Sequence, residues 1–142
     1  VVATANDPKR KNINRRIFNM ILWLVPMVSV ITCMSIYALA LGMDIDIGMV
    51  VNIMVGIMFI VLGNYTHKVK QNYTVGIKLP WTLHSEENWN RTHRMAGWVL
   101  IVLGVLFLIN SMLLKTEVVL VVVLMAVFMP MIYSFILYKK GI

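Results

Sequence analysis

The stretch His84 to Arg94, "HSEENWNRTHR", holds two of the six acidic residues and two of the three histidines of a 142-residue chain. Read as a helix, it places Glu86, Asn90, His93 and Gly97 on one face at spacings of four, three and four, with Glu87 and Arg91 paired acid-first beside them. Three chemistries could use such a set. Glu86 with His84 and His93 offers oxygen and nitrogen donors for zinc, but the spacing matches none of the usual two-histidine helix motifs. A Glu-His pair suits general acid/base work, yet no nucleophile, glycine-rich phosphate loop or oxyanion motif accompanies it. The third use is binding: Trp81 and Trp89 anchor at an interface, Arg91 and Arg94 meet phosphates, and the remaining polar groups satisfy one another. The spacing favours binding, with no catalytic residue, metal ligand or cofactor expected.

Local signals say how these residues are held. Pro80 biases Leu79 to an extended conformation. Ser85 is suited to be an N-cap whose hydroxyl accepts from the amide of Glu87 or Asn88, and Glu86 and Glu87 complement the positive end of the helix dipole. A helix is therefore expected to start at Ser85 and run unbroken into the apolar run that follows. Residues 67–94 form a connection too long for a hairpin turn, of the kind that carries function.

The surroundings are hydrocarbon-like. The chain is 60% hydrophobic and 13% charged, against about 25% charged residues in soluble domains. Spanning about 30 Å of hydrocarbon takes roughly 20 apolar residues in a helix. Four runs, about 17–41, 47–66, 95–114 and 117–138, qualify. They lack the alternation of barrel strands. The expected fold is all-α: a single polytopic membrane domain with four transmembrane helices in this chain, and a structured loop and juxtamembrane helix between helices two and three. The polar lead before the first run, starting at Val1, suggests a fragment lacking upstream helices. "KRKNINRR" before an apolar run ending in Ala38-Leu39-Ala40 resembles a signal peptide, but the run is too long for one.

Charge placement sets an expected orientation. Of 13 basic residues, 12 flank the two ends and the middle connection: Lys9, Arg10, Lys11, Arg15, Arg16, Lys68, Lys70, Lys78, Arg91, Arg94, Lys139 and Lys140. Only Lys115 lies on the other side, where the short connections also carry Asp44 and Asp46. This pattern puts both ends and the middle loop on the cytoplasmic side of the membrane. It also accounts for the net charge of +7 by attraction to anionic headgroups, about 1 kcal/mol per residue, rather than by nucleic acid.

No Asp, Glu, Lys, Arg or His falls within the four apolar cores, which disfavours a proton relay or ion pathway. Small residues mark the packing seams: Gly48, Asn52, Gly56 and Gly63 in the second span, and Gly97, Gly104 and Ser111 in the third. Pro26 and Pro130 are expected to kink the first and fourth spans. The lone Cys33 reads as a small packable residue, and the abundant methionines as filler of a helix core.

The segment from Gly76 to Gly97 resembles the signature of the SdpI family of bacterial membrane immunity proteins. The family pattern is a Gly-Ile-Arg-Thr-Pro-Trp-Thr-Leu core, a Ser-Glu-Glu region, a Trp, then Thr-His-Arg and a Gly. Matching positions are Gly76, Ile77, Pro80, Trp81, Thr82, Leu83, Ser85, Glu86, Glu87, Trp89, Thr92, His93, Arg94 and Gly97. "DPKRKN", Asp7 to Asn12, resembles the family's approach to its third membrane helix. Lys78 and Leu79 depart from the usual Arg and Thr, exchanging a planar bidentate fork for a point charge and losing a hydroxyl.

The resemblance implies an immunity protein that protects against a secreted antimicrobial peptide toxin, of which this chain is the C-terminal four-helix part. In the signalling version it also recruits a cytosolic transcriptional repressor. The expected partners are thus membrane lipids, an apolar toxin meeting Asp44, Asp46 and Lys115 or the lipid-facing grooves, and a cytosolic protein meeting Trp81, Glu86, Glu87, Trp89, Arg91, His93 and Arg94. The alternatives are a subunit of a larger membrane complex or transporter and, less favoured, a metal-dependent membrane enzyme.

Overall fold

The computed structural model describes residues 6, 7, 9, 11, 15–113 and 115–142. Five helices follow in order: α1 (Arg15–Ala40), α2 (Ile47–Thr66), α3 (Pro80–His84), α4 (Glu86–Leu113) and α5 (Thr116–Lys139). All but α3 are long and apolar enough to cross a membrane. Helix α4 begins at Glu86, directly after the Ser85 cap, and continues without a break into the apolar run. The expected end of that span, Leu114, lies outside the described residues.

Helix ends follow local chemistry. After α1, the amide of Met43 donates to Ala38 and that of Gly42 to Leu39, with Gly42 at φ +80°. This is a Schellman cap, and it needs the left-handed conformation that glycine adopts without penalty. Asp46 caps α2 by accepting from the Met49 amide at 3.1 Å. Pro26 and Pro130 are accommodated inside α1 and α5, which continue through them.

The four long helices run antiparallel in sequence order, so Asp7, Lys9 and Ile142 gather with the 67–85 connection at one end. At the centre, α4 packs against α2 on one side and α5 on the other. Leu103, Phe107 and Val122 form the core, with Val55 and Phe59 of α2 against it; the Phe59 and Phe107 rings meet edge-on at 5.5 Å.

The α2–α4 contact rests on the glycine stripes. A Cβ added at Gly63 would lie 2.6 Å from the Gly97 carbonyl oxygen, and one at Gly104 would lie 2.7 Å from that of Gly56. Only hydrogen at Cα permits so close an approach, which is how helices gain dispersion contact where no hydrophobic driving force separates protein from lipid. Further along, Asn110 Nδ2 donates to Asn52 Oδ1 across the seam at 3.0 Å. Ser111 is buried but turns its hydroxyl back to the Leu108 carbonyl. Gly48 is exposed, and its carbonyl accepts from Asn52 Nδ2.

Helix α1 differs from the rest. Only 6% of its most apolar stretch is buried, against 39% for α4, and among the described residues its main helix contact is with α2. Two expectations fail for this reason. Cys33 is exposed rather than packed. Met27, Met34, Met43 and Met49 are exposed too; Met27 lines an open cleft between α1 and α2 rather than a closed core.

Candidate functional site: the elbow between α2 and α4

At the end of the bundle that carries the termini, residues 67–85 fold over the first turns of α4. The N-cap forms as the sequence requires, Ser85 Oγ accepting from the Asn88 amide at 3.1 Å. Before it, Leu79 is extended (φ −107°, ψ 151°) and Pro80 opens α3, a position where its missing amide costs nothing. Thr82 closes this turn by accepting from the Leu79 amide at 2.9 Å.

Trp89 and His93 form the centre. Both are buried, and their rings stack at 4.1 Å and 20°. Trp89 Nε1 donates to the Val69 carbonyl at 2.8 Å. His93 Nδ1 lies 2.9 Å from the Trp89 carbonyl oxygen, while Nε2 accepts from the Ile77 amide at 3.0 Å. These partners fix a neutral ring with its proton on Nδ1. Gly76 passes directly over the stack at φ +126°, where a Cβ would lie 2.6 Å from His93 Nε2 and 2.8 Å from the Trp89 ring.

A second network ties the elbow to α5. Asn88 Oδ1 accepts from Ser134 Oγ at 2.8 Å and Thr92 Oγ1 at 3.1 Å. Its Nδ2 donates to the carbonyls of Ser134 and Ile142, each at 3.1 Å, so the amide's capacity is filled. Trp81 Nε1 donates to Ser134 Oγ at 2.9 Å, and its ring packs on Phe135 and Tyr138. Trp81 is thereby a half-buried strut to α5 as well as an interfacial aromatic.

A third network holds the loop itself. Gln71 Nε2 donates to the carbonyls of Thr82 and Leu83, both at 2.8 Å, and its Oε1 accepts from Lys9 Nζ. Asn72 Oδ1 accepts from the amides of Thr74 and Val75. Asp7 Oδ2 accepts from the Tyr73 amide at 2.8 Å and Thr74 Oγ1 at 2.7 Å, and Oδ1 from the Lys9 amide. Burial raises the Asp7 pKa, but these hydrogen bonds outweigh it and hold the carboxyl below its ordinary range. Of "DPKRKN", Pro8, Arg10 and Asn12 lie outside the described residues.

The geometry divides the sequence-predicted residues. The expected common face of Glu86, Asn90, His93 and Gly97 splits: His93 and Gly97 turn inward, whereas Glu86 and Asn90 are exposed. His93, Trp89 and Thr92 are therefore unavailable for direct contact with a cytosolic protein. Their hydrogen-bonding groups are spent inside, and the expectation that Trp89 and His93 present an outward face is corrected. Glu86, Glu87, Arg91 and Arg94 stay exposed, with Glu87 and Arg91 paired at 2.5 Å. Lys78 is exposed and its Nζ lies 3.4 Å from the Thr74 carbonyl oxygen. Asp44, Asp46 and Lys115 sit exposed at the opposite end.

Among the described residues, no group of three His, Cys, Asp or Glu side chains converges to hold a metal. His84 is exposed, with Nδ1 against the Pro80 carbonyl. Sequence reasoning missed Asn88, Ser134, Gln71, Asn72 and Asp7. The spacing of four between Asn88 and Thr92 was a usable signal, but its partner Ser134 is 46 residues away.

Fold and site together define a polytopic α-helical membrane protein whose interhelical connection is a hydrogen-bonded elbow rather than an open catalytic cleft. The SdpI/YfhL protein family model matches residues 68–136, the elbow together with α4 and most of α5. Immunity protein SdpI of Bacillus subtilis (strain 168) is 32% identical over 110 residues, covering 75% of this chain. Over residues 68–136 the chain is similar to the SdpI/YfhL family. It spans about half, 53%, of the length of that curated relative. No solved structure matches it.

Proposed function

We propose that this chain is the C-terminal membrane part of an immunity protein that protects a bacterial cell from a secreted antimicrobial peptide by binding it in the membrane. The observation that carries the reading is the similarity to Immunity protein SdpI over 110 residues. The elbow supports binding over turnover: its buried histidine and amides are engaged by main chain and neighbours, which leaves no general base beside a nucleophile.

In this reading the end bearing 12 of the 13 basic residues faces the cytoplasm, in line with the positive-inside bias. The Asn88 network ties α4 to α5, and His93 pins the 67–85 connection to α4. The exposed row Glu86, Glu87, Asn90, Arg91 and Arg94 is the surface offered to a cytosolic partner, a transcriptional repressor in the signalling version. Lys78 adds a point charge there in place of an arginine fork.

Expressing the full-length protein in a toxin-sensitive bacterium tests the reading. Survival above empty vector at equal membrane abundance is expected, and none would sink it. Glu86→Gln should spare protection while weakening partner capture, because its side chain has no hydrogen-bonding or ionic partner among the described residues.

A further inference from the structure

Between α1 and α2 the structure leaves a long apolar cleft. Its main chamber, about 460 Å³, is lined by Met20, Met27, Ile31, Val50, Met54 and Met58 among others. A second chamber of about 140 Å³ shares Ile31, Val50 and Met54 with it and extends to Ile36 and Ile47. The cleft thus climbs to the end of the bundle where the 41–46 connection lies. The hydroxyls of Thr32 and Ser35 in its upper part donate back to the Val28 and Ile31 carbonyls, so they demand nothing from an occupant.

An apolar gap of this size inside a bilayer does not stay empty, because its walls would forgo dispersion contacts. A helix is about 10–12 Å across with its side chains, so the cleft admits one face of a helix rather than a whole one. Two features select among apolar occupants. Methionines supply flexible thioethers to both walls, a lining that repacks around unlike shapes. Asp44 and Asp46, both exposed, stand at the mouth: Asp46 immediately precedes Ile47, and Asp44 has no partner among the described residues. A neutral acyl chain gains nothing from that rim, whereas an apolar peptide with a cationic end does.

We propose that the α1–α2 cleft is the docking site for an apolar peptide segment with a cationic end, which enters from the side carrying Asp44 and Asp46. The proposal rests on the immunity reading for the identity of the peptide. The cleft, its methionine walls and its acidic mouth are independent of that reading.

The test uses the full-length protein in phosphatidylcholine nanodiscs and, as probe, a synthetic Leu/Ala helix flanked by lysines and carrying a central benzophenone. Photocrosslinks should map to cleft residues of α1 and α2 and disappear in Ile53→Trp, which fills the chamber. Asp44→Asn with Asp46→Asn should weaken capture by about three- to tenfold at low salt, and the difference should fade at high salt. The pair keeps its fold because asparagine caps α2 as well as aspartate does. Crosslinks spread evenly over the lipid-facing sides of α1 and α5, or unchanged in both variants, would show that the cleft holds only lipid and overturn the proposal. In cells, protection by wild type and equal protection by a well-inserted Ile53→Trp overturns the docking site and leaves immunity standing. A wild type that captures the probe in the cleft without protecting overturns immunity and leaves the docking site.

Discussion

Replacing Gly104 by alanine puts the α2–α4 seam under a defined strain. The new Cβ would sit 2.7 Å from the Gly56 carbonyl oxygen and 2.9 Å from the Ile60 amide nitrogen. Both are backbone atoms that cannot rotate away. Ordinary contact starts near 3.4 Å, so the helices must part by 3.4 − 2.7 = 0.7 Å. A gap of that order forfeits a quarter to a half of the dispersion attraction along the interface. It also stretches the Asn110–Asn52 bond from 3.0 Å beyond useful length, a loss of about 0.6 kcal/mol for an interhelical bond in lipid. Overpacking costs about 1–3 kcal/mol, and the better helix propensity of alanine returns about 1 kcal/mol. The net expectation is destabilisation by about 1–2 kcal/mol, read by denaturant titration of helicity in detergent. Gly56→Ala meets the same seam from the other side, with its Cβ 2.9 Å from the Gly104 carbonyl oxygen. Once one alanine has parted the helices the other needs little further movement. The double variant should therefore fall short of additivity by about 0.5 kcal/mol or more. Unchanged stability of Gly104→Ala, or two costs that add in full, would refute a close-packed seam.

Three further outcomes follow from the elbow. Gly76→Ala should lower thermal stability far more than Gly42→Ala: both need positive φ, but a Cβ at Gly42 meets nothing within 4 Å whereas at Gly76 it strikes His93 and Trp89. Asn88→Ala, which strips Ser134 and Thr92 of a buried acceptor, should cost about 1–3 kcal/mol. Trp81→Phe, which keeps the ring contacts with Phe135 and Tyr138, should cost less; equal losses would count against the polar network. The Asp7 contribution should depend on pH. Its folded pKa lies below the ordinary 3.8, so its stabilisation is complete above that value and disappears as pH falls through the lower folded value. Amide exchange at Tyr73 should accelerate in Asp7→Asn at neutral pH and match wild type in strong acid.

How much of this was legible in the sequence differs by element. The spans were readable because an apolar run in lipid has one stable form, a helix that satisfies its own backbone. Ser85 and Pro80 act within a turn of themselves, so this cap and break are local statements. The glycine stripes were readable as seams because a spacing of four or seven keeps residues on one face.

The elbow shows the limit. Helical spacing grouped Glu86, Asn90, His93 and Gly97, but spacing cannot say which side of a helix is covered. The 76–77 backbone, folded back from 16 residues upstream, decided that His93 is buried and Glu86 is not. Asn88 finds Ser134 and Asp7 finds Tyr73 and Thr74 through contacts 46, 66 and 67 residues apart. By itself, then, the sequence determined the number of spans, their caps, the small-residue stripes and the uneven charge, all consequences of short-range chemistry and of the bilayer as solvent. Only the tertiary structure decided that Trp89, Thr92 and His93 of the signature face inward as a brace, and that an apolar cleft lies between α1 and α2. Both depend on how helices distant in sequence fill, or leave unfilled, the space between them.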